Sequence, residues 1–266
     1  MGALAGLDNA GILKRILEGI DLRLCLSLTA KNGEIALPIH YNRYIQAAIY
    51  ENISKELAYF LHEQGFTYGS RRFKFFVFSR LLGTYEIDRS EKRIIFKEGA
   101  RLYISSPITE FCTSLMGCML GDGRIRLGDV WVEVTGISVE KPLVSGNEVL
   151  LNLISPVVTY STFEKPEGGK YTCYYQPGEK EFNRQIEANL RKKYAAYYGR
   201  TAPEGEIRVE VLNKPQLKIS MYKKTVIKGY ICRLKLTGPK ELLQVAVDAG
   251  IGGKNSQGYG FAELLN

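Results

Sequence analysis

The chain has 266 residues, 45% of them apolar and 24% charged, with a formal net charge of +8. That composition excludes a disordered, collagenous or low-complexity polypeptide, and no apolar run approaches the roughly 18 residues a membrane-spanning helix needs. At about 100–200 residues per domain, the length suits one large domain or two small ones.

Residues 1–20 read as a leader or extension, with a short amphipathic helix over Leu7–Ile20, and stand outside the fold argument. Leu22–Thr29 alternates apolar and polar residues as a half-buried strand does. Asn42 is placed to cap a helix over Arg43–His62, whose apolar Ile45, Ile49, Ile53, Leu57 and Leu61 recur at helical spacing. Gly65 then stops it. Phe73–Phe78, Arg93–Phe96 and Arg101–Ser105 are strand-like, and Pro107 opens a helix that runs to about Leu120 before the turn at Gly121-Asp122-Gly123. Val130–Val139 is a strand and Lys141–Asn147 a linker.

The second half repeats the order. Val149–Tyr160 is a strand and Lys165–Gly169 a hairpin tip. Glu179–Tyr198 is a long helix with acids early and Arg191, Lys192 and Lys193 late, as the helix dipole favours. Ile207–Leu212 is a strand, Leu217–Tyr222 and Val226–Leu236 a hairpin, Lys240–Ala249 a helix and Gly258–Leu265 a last edge strand. Each half thus reads β-α-β-β-α-β, which predicts an α+β protein of tandem ferredoxin-like (RRM-like) units over 21–141 and 148–266.

Charge is concentrated in the second half. From Glu179 to Lys235 there are fourteen Lys or Arg and six Glu, a net of +8, so the remainder is balanced. Lys192, Lys193 and Arg233 lie in this stretch among Tyr194, Tyr197, Tyr198, Tyr222 and Tyr230. Cations neutralise phosphates and aromatic faces stack unpaired bases, so the mixture suits a nucleic acid; the plainer alternative is a solvated helix face and a charged hairpin. The five cysteines (Cys25, Cys112, Cys118, Cys173 and Cys232) include no CxxC pair. They argue against a zinc site or disulfide framework and for small buried residues of a reducing compartment, with the cytoplasm as default. No metal or cofactor is expected.

The sharpest motif is GIGGKNSQGYG at 250–260, with the pattern GhGxxxxxGhG. Glycines allow close backbone approach, and consecutive N–H groups can bind phosphate, so Gly250, Gly252, Gly253, Lys254, Asn255, Ser256, Gly258 and Gly260 are expected to touch a polyanion. A dinucleotide fingerprint would follow a strand and open a helix, whereas this loop follows a helix and precedes a strand.

With its GIGGKNSQGYGFAEL ending, its LPIHYNRYIQAAIY segment and the FLHEQGF that follows, the chain resembles the CRISPR endoribonucleases that cut precursor guide RNA, the sixth Cas protein family, within the wider superfamily of repeat-associated RNA-processing proteins. The resemblance covers about residues 21–266. It implies metal-independent cleavage of CRISPR repeat RNA to 2′,3′-cyclic phosphate and 5′-hydroxyl ends, and it leaves open a homodimer or a place in a CRISPR effector complex. A non-catalytic repeat-RNA-binding protein of the same superfamily is the alternative.

Such cleavage needs a base for the 2′-hydroxyl, an acid for the leaving 5′-oxygen and cations around the phosphorane. Only His40 and His62 can supply imidazoles. The resemblance places His62, in FLHE, as the main catalytic histidine ahead of His40, with Tyr50 beside it. The plain alternative for either histidine is a ring packed on the helix and bonded to a backbone carbonyl. Tyr50 and His62 are twelve residues apart, about 18 Å on a straight helix, so joint action requires the helix to break or the RNA to bridge them. The family's lysine has no aligned equivalent. Arg71 or Arg72 is expected to meet the phosphate, with Lys74 nearby and Lys55 as the alternative.

Overall fold

The computed structural model describes residues 22–31 and 33–265, so the helix expected over Leu7–Ile20 lies outside the described residues. The first unit runs β1 (Leu22–Thr29), β2 (Ile35–Pro38), α1 (Asn42–Glu51), α2 (Lys55–Tyr59), β3 (Phe66–Tyr68), β4 (Arg71–Phe73), β5 (Val77–Phe78), β6 (Tyr85–Asp88), β7 (Arg93–Phe96), β8 (Ala100–Ser106), α3 (Thr109–Asp122), β9 (Arg124–Leu127) and β10 (Val130–Glu140). The second runs β11 (Glu148–Leu153), β12 (Tyr160–Glu164), β13 (Lys170–Tyr174), α4 (Lys180–Tyr198), β14 (Arg208–Val211), β15 (Gln216–Tyr222), β16 (Thr225–Ile231), β17 (Arg233–Thr237), α5 (Lys240–Ala249) and β18 (Ala262–Leu265).

The two main sheets have strand orders β5-β8-β1-β10-β9 and β14-β17-β11-β18. In each, the strand that opens the unit lies between the closing strand and the strand before the second helix, and all these pairings are antiparallel. That is the ferredoxin-like arrangement, so the tandem α+β architecture is observed. Smaller sheets decorate it: β2-β7-β6, and the hairpins β3–β4, β12–β13 and β15–β16.

β1 departs from the half-buried strand its alternation implied. Leu22, Leu24, Leu26 and Leu28 fill the first core with Ile45, Ile49, Phe76 and Phe111. The opposite face is covered too. Arg23 is only 2% exposed, donates to the carbonyls of Ala262 (2.8 Å) and Val247 (3.4 Å), and lies over the Phe261 ring. Burial holds its pKa below the ordinary arginine value, partly offset by Glu140, Asp248 and Glu263. The two units are therefore joined through a buried guanidinium and an aromatic ring as well as apolar contact.

Other local expectations are corrected. The expected strand Phe73–Phe78 breaks where Phe75 takes φ +50°, and its ring enters the second core. The run Val149–Tyr160 is a strand only to Leu153, and the last strand starts at Ala262 rather than Gly258. Cys25, Cys112 and Cys232 are buried as expected, whereas Cys118 and Cys173 are half-buried. No helix among the described residues is long and apolar enough to cross a membrane.

Candidate functional site

The helix expected over Arg43–His62 is broken. Asn52 folds its side-chain amide back to the Ala48 carbonyl (2.8 Å) and ends α1. Ser54 starts α2 by accepting from the Leu57 N–H, while its own N–H donates to Ser114 Oγ at 2.6 Å, anchoring the break to α3. α2 then opens into a π-turn over Phe60–Gln64, closed by Gly65 N–H to the Phe60 carbonyl. π-turns of this kind recur at functional sites. The chain doubles back, and the His62 ring meets the Tyr50 ring edge-on with centroids 5.9 Å apart. Tyr50 in turn packs on Phe76 at 5.5 Å. The break that joint action required is present.

His62 is exposed, and its Nδ1 lies 2.6 Å from Glu63 Oε1. Its carbonyl accepts from Lys74 Nζ (2.6 Å), and the Glu63 carbonyl accepts from Arg72 (2.9 Å). Two cations thus satisfy carbonyls that the helix end leaves unpaired. Burial and the Arg72 charge pull the Lys74 pKa down. Burial pushes Tyr50 up to about 12, with Tyr222 adding to the rise, so its phenol keeps its proton near neutral pH.

Lys74 and Phe76, which touch this pair, also line a cleft of about 330 Å³ whose lining includes neither Tyr50 nor His62. One wall is the strand β4 with Lys74, contributing Arg71 and Arg72; the other is α4, contributing Gln185, Asn189 and Lys192. Gly252–Gln257 and Val158–Tyr160 close it. An aromatic chain holds the walls together: Phe60 on Phe66, Phe66 on Phe75, and Phe75 on Tyr197 of α4, at 5.4, 5.0 and 5.1 Å. Among the described residues no Asp or Glu lines the cleft, so its charged groups are all cationic.

The glycine loop is not a flexible phosphate grip. Gly250, Gly252, Gly258 and Gly260 are buried, and a Cβ on Gly260 (φ +74°) would sit 1.9 Å from the Ile251 carbonyl oxygen. The N–H groups of Gly253, Gly258 and Gly260 bond to Val158, Asn255 and Pro156 carbonyls. The Asn255 amide clamps the loop by donating to Ile251 and Tyr259 carbonyls, while the half-buried residue also lines the cleft. What the loop presents to the cleft is the run from Gly252 to Gln257, with Lys254 Nζ over the Tyr160 ring at 5.0 Å.

Lys193 is corrected as well. It is 2% exposed, and its ammonium donates to the carbonyls of Gly250 (2.6 Å), Gly252 (3.3 Å) and Ala249 (3.4 Å), the orphan carbonyls where α5 ends. Burial pulls its pKa down to about 7. Both Lys193 and its neighbour Lys192 line the cleft, but the Lys193 ammonium is taken up by the loop carbonyls. Arg233 is exposed on β17 and is not among the lining residues. Several cations of the basic stretch are paired, including Arg184 with Glu181, Arg191 with Glu187 and Lys235 with Glu148.

His40 lies apart from this arrangement, exposed, its Nδ1 accepting from the Met221 N–H at 3.4 Å. Lys55 opens α2 at the end away from His62. Asn42 does not cap α1, since Tyr41 occupies that position; its amide donates to the Gln257 carbonyl (2.9 Å), and Gln46 donates to the Ser256 carbonyl (2.6 Å). Gln46 also bonds the Tyr222 hydroxyl. Asn42 and Gln46 thus hold the glycine loop, with Tyr50 four places further along the same stripe of α1 on His62 and Phe76, and that spacing was the signal that could have found them.

Comparison with known proteins gives a consistent answer. Residues 36–138 match the family model described as CRISPR-associated protein Cas6, N-terminal, and residues 139–264 the model CRISPR associated protein Cas6, C-terminal. The chain is 30% identical over 257 residues to CRISPR-associated endoribonuclease Cas6 1 of Methanocaldococcus jannaschii, covering 90% of this chain and 91% of the relative. It is 27% identical over 264 residues to CRISPR-associated endoribonuclease Cas6 of Pyrococcus furiosus, covering 91% and 90%. A solved structure named CRISPR associated protein Cas6 superposes with a TM-score of 0.75 at 27% identity, covering 92% of this chain and all of the other.

Proposed function

The chain belongs to the Cas6 family of CRISPR-associated proteins, and on that premise we propose that it is an endoribonuclease that binds CRISPR repeat RNA and cuts the precursor transcript within the repeat. The observation that carries the reading is the edge-on contact of Tyr50 and His62 beside a cleft walled by Arg71, Arg72, Lys74 and Lys192.

The chemistry follows from the groups present. The 2′-oxygen attacks the adjacent phosphorus while His62 takes the 2′ proton. Glu63 occupies Nδ1, which leaves Nε2 for the substrate. The P–O5′ bond breaks, and the leaving 5′-oxygen takes a proton from the Tyr50 phenol, which its raised pKa keeps protonated until then. The products are a 2′,3′-cyclic phosphate and a 5′-hydroxyl; solvent exchange returns the proton from His62 to Tyr50. Lys74, with Arg71 and Arg72, meets the charge on the phosphorane. That charge would be met by cations in a wall without carboxylates, which supports the metal-independent reading.

Single-turnover cleavage of a synthetic repeat RNA in EDTA tests this. Cutting to a cyclic-phosphate end is expected, and His62→Ala lowers the rate by about 100-fold or more at unchanged RNA affinity. RNA that stays intact at saturating wild-type protein sinks the nuclease reading. Cleavage that survives His62→Ala but not His40→Ala moves the site to the Met221 side of α1.

A further inference from the structure

A cleft that meets only phosphate needs donors and has no use for buried acceptors. This one holds two. Asn189 Oδ1 on α4 and Gln257 Oε1 on the glycine loop are buried and have no hydrogen-bond partner, and both residues line the cleft. The other unpartnered buried side-chain atoms among the described residues, Arg23 Nε and Asn183 Oδ1, are on residues outside its lining. An unmet buried acceptor is costly enough that native structures rarely keep one without a use. A phosphate oxygen, itself an acceptor, cannot meet it. Lys192 and Lys254 can hold phosphates on either side, but the two amide oxygens require an N–H or O–H from the ligand.

In RNA those donors are base amino and imino groups and the ribose 2′-hydroxyl. A carboxamide carries an acceptor beside a donor, the pattern that matches an adenine edge, where N6–H₂ donates and a ring nitrogen accepts. Sequence in RNA is read on unpaired bases with accessible edges, and the Tyr160 ring lies in the same cleft. Resting on the reading above, we propose that Asn189 and Gln257 are specificity-determining residues that read one unpaired amino-bearing base of the repeat, adenine matching best, within the cleft that holds its backbone. Both act on binding and register, away from the proton transfers at His62.

The test uses the full-length protein and synthetic repeat RNA in which each adenosine in turn is replaced by purine riboside, which lacks only the amino group. At one position the replacement is expected to weaken wild-type binding about 5- to 150-fold, the range for one bidentate base contact. Asn189→Ala and Gln257→Ala should each lose affinity for unmodified RNA and become indifferent to the replacement at that position, a coupling a merely structural role would not produce. Gln257 is on a surface loop, so its variant carries the test if the α4 variant melts early. Variants that discriminate as the wild type does overturn the proposal, as does sensitivity to 2′-deoxy substitution in place of amino-group removal. Failure of the wild type to bind or cut any of these RNAs would instead sink the nuclease reading itself.

Discussion

The helical segment after the opening strand occupies the same slot in both units, and the two copies have been put to opposite uses. In the first unit it breaks at Asn52–Ser54, restarts as α2 and widens into a π-turn. In the second, α4 runs unbroken from Lys180 to Tyr198 and ends at Gly199 in the left-handed conformation. The broken copy presents His62, Tyr50 and two cations that already cover carbonyls. The regular copy buries Lys193 to fix the glycine loop and turns the preceding residue, Lys192, to the cleft. Irregular backbone lets side chains distant in sequence converge, and regular backbone holds the wall against which they work.

The comparison breaks most directly at Tyr50. Tyr50→Phe keeps the ring between His62 and Phe76 and removes only the phenol. If the kink exists to bring a proton donor to the imidazole, single-turnover cleavage should fall by about 100-fold or more while RNA affinity and melting temperature hold. Wild-type rates in this variant would reduce the kink to a packing device.

The regular copy is tested through Lys193. Lys193→Met leaves the carbonyls of Ala249, Gly250 and Gly252 without that donor, at a cost of about 1–3 kcal/mol. The pH dependence carries a second signature. The ordinary lysine value is 10.5, and burial brings this one to about 7 in the folded chain. Between those values the unfolded chain binds more protons than the folded one, so wild-type stability should rise with pH across that window. Below about pH 7 the cost of the buried charge is felt in full. Urea midpoints at pH 7 and pH 9, taken as the difference between wild type and Lys193→Met, should widen at the higher pH. A constant difference would show that the three carbonyls hold the ammonium charged throughout.

Much of this contrast was legible and some was not, for physical reasons. Element order came from periodicity and turn residues, and two βαββαβ runs leave little choice of topology. The break at Asn52–Ser54 was hidden because Ile49, Ile53 and Leu57 keep helical spacing through it; only Ser54, a good capping residue two places after Asn52, marks the interruption. Adjacency to Lys192 suggests an external cation at Lys193, although it lies on the stripe of Phe182, Ile186, Leu190 and Tyr194 that the helix buries. The glycine motif was visible as a sequence pattern, but its use was not. Five glycines describe a loop that can bend, and whether its amides face a ligand or its own neighbours depends on Asn42, Gln46 and Lys193, which are distant in the chain.

The smallest effect separates the two helix starts. Ser54 caps α2 with its hydroxyl, whereas Glu179 precedes α4 with no side-chain cap and is exposed. Ser54→Ala should lower stability by about 1 kcal/mol in urea unfolding, the usual cost of a lost N-cap, and Glu179→Ala by no more than about 0.5 kcal/mol. The cleavage rate of Ser54→Ala carries the further information. The Ser54 N–H to Ser114 Oγ bond survives the substitution, so the break should persist and cleavage should fall by only a few-fold. A loss as large as that of Tyr50→Phe would mean that the hydroxyl cap, rather than the backbone tie to α3, sets the angle at which His62 meets Tyr50.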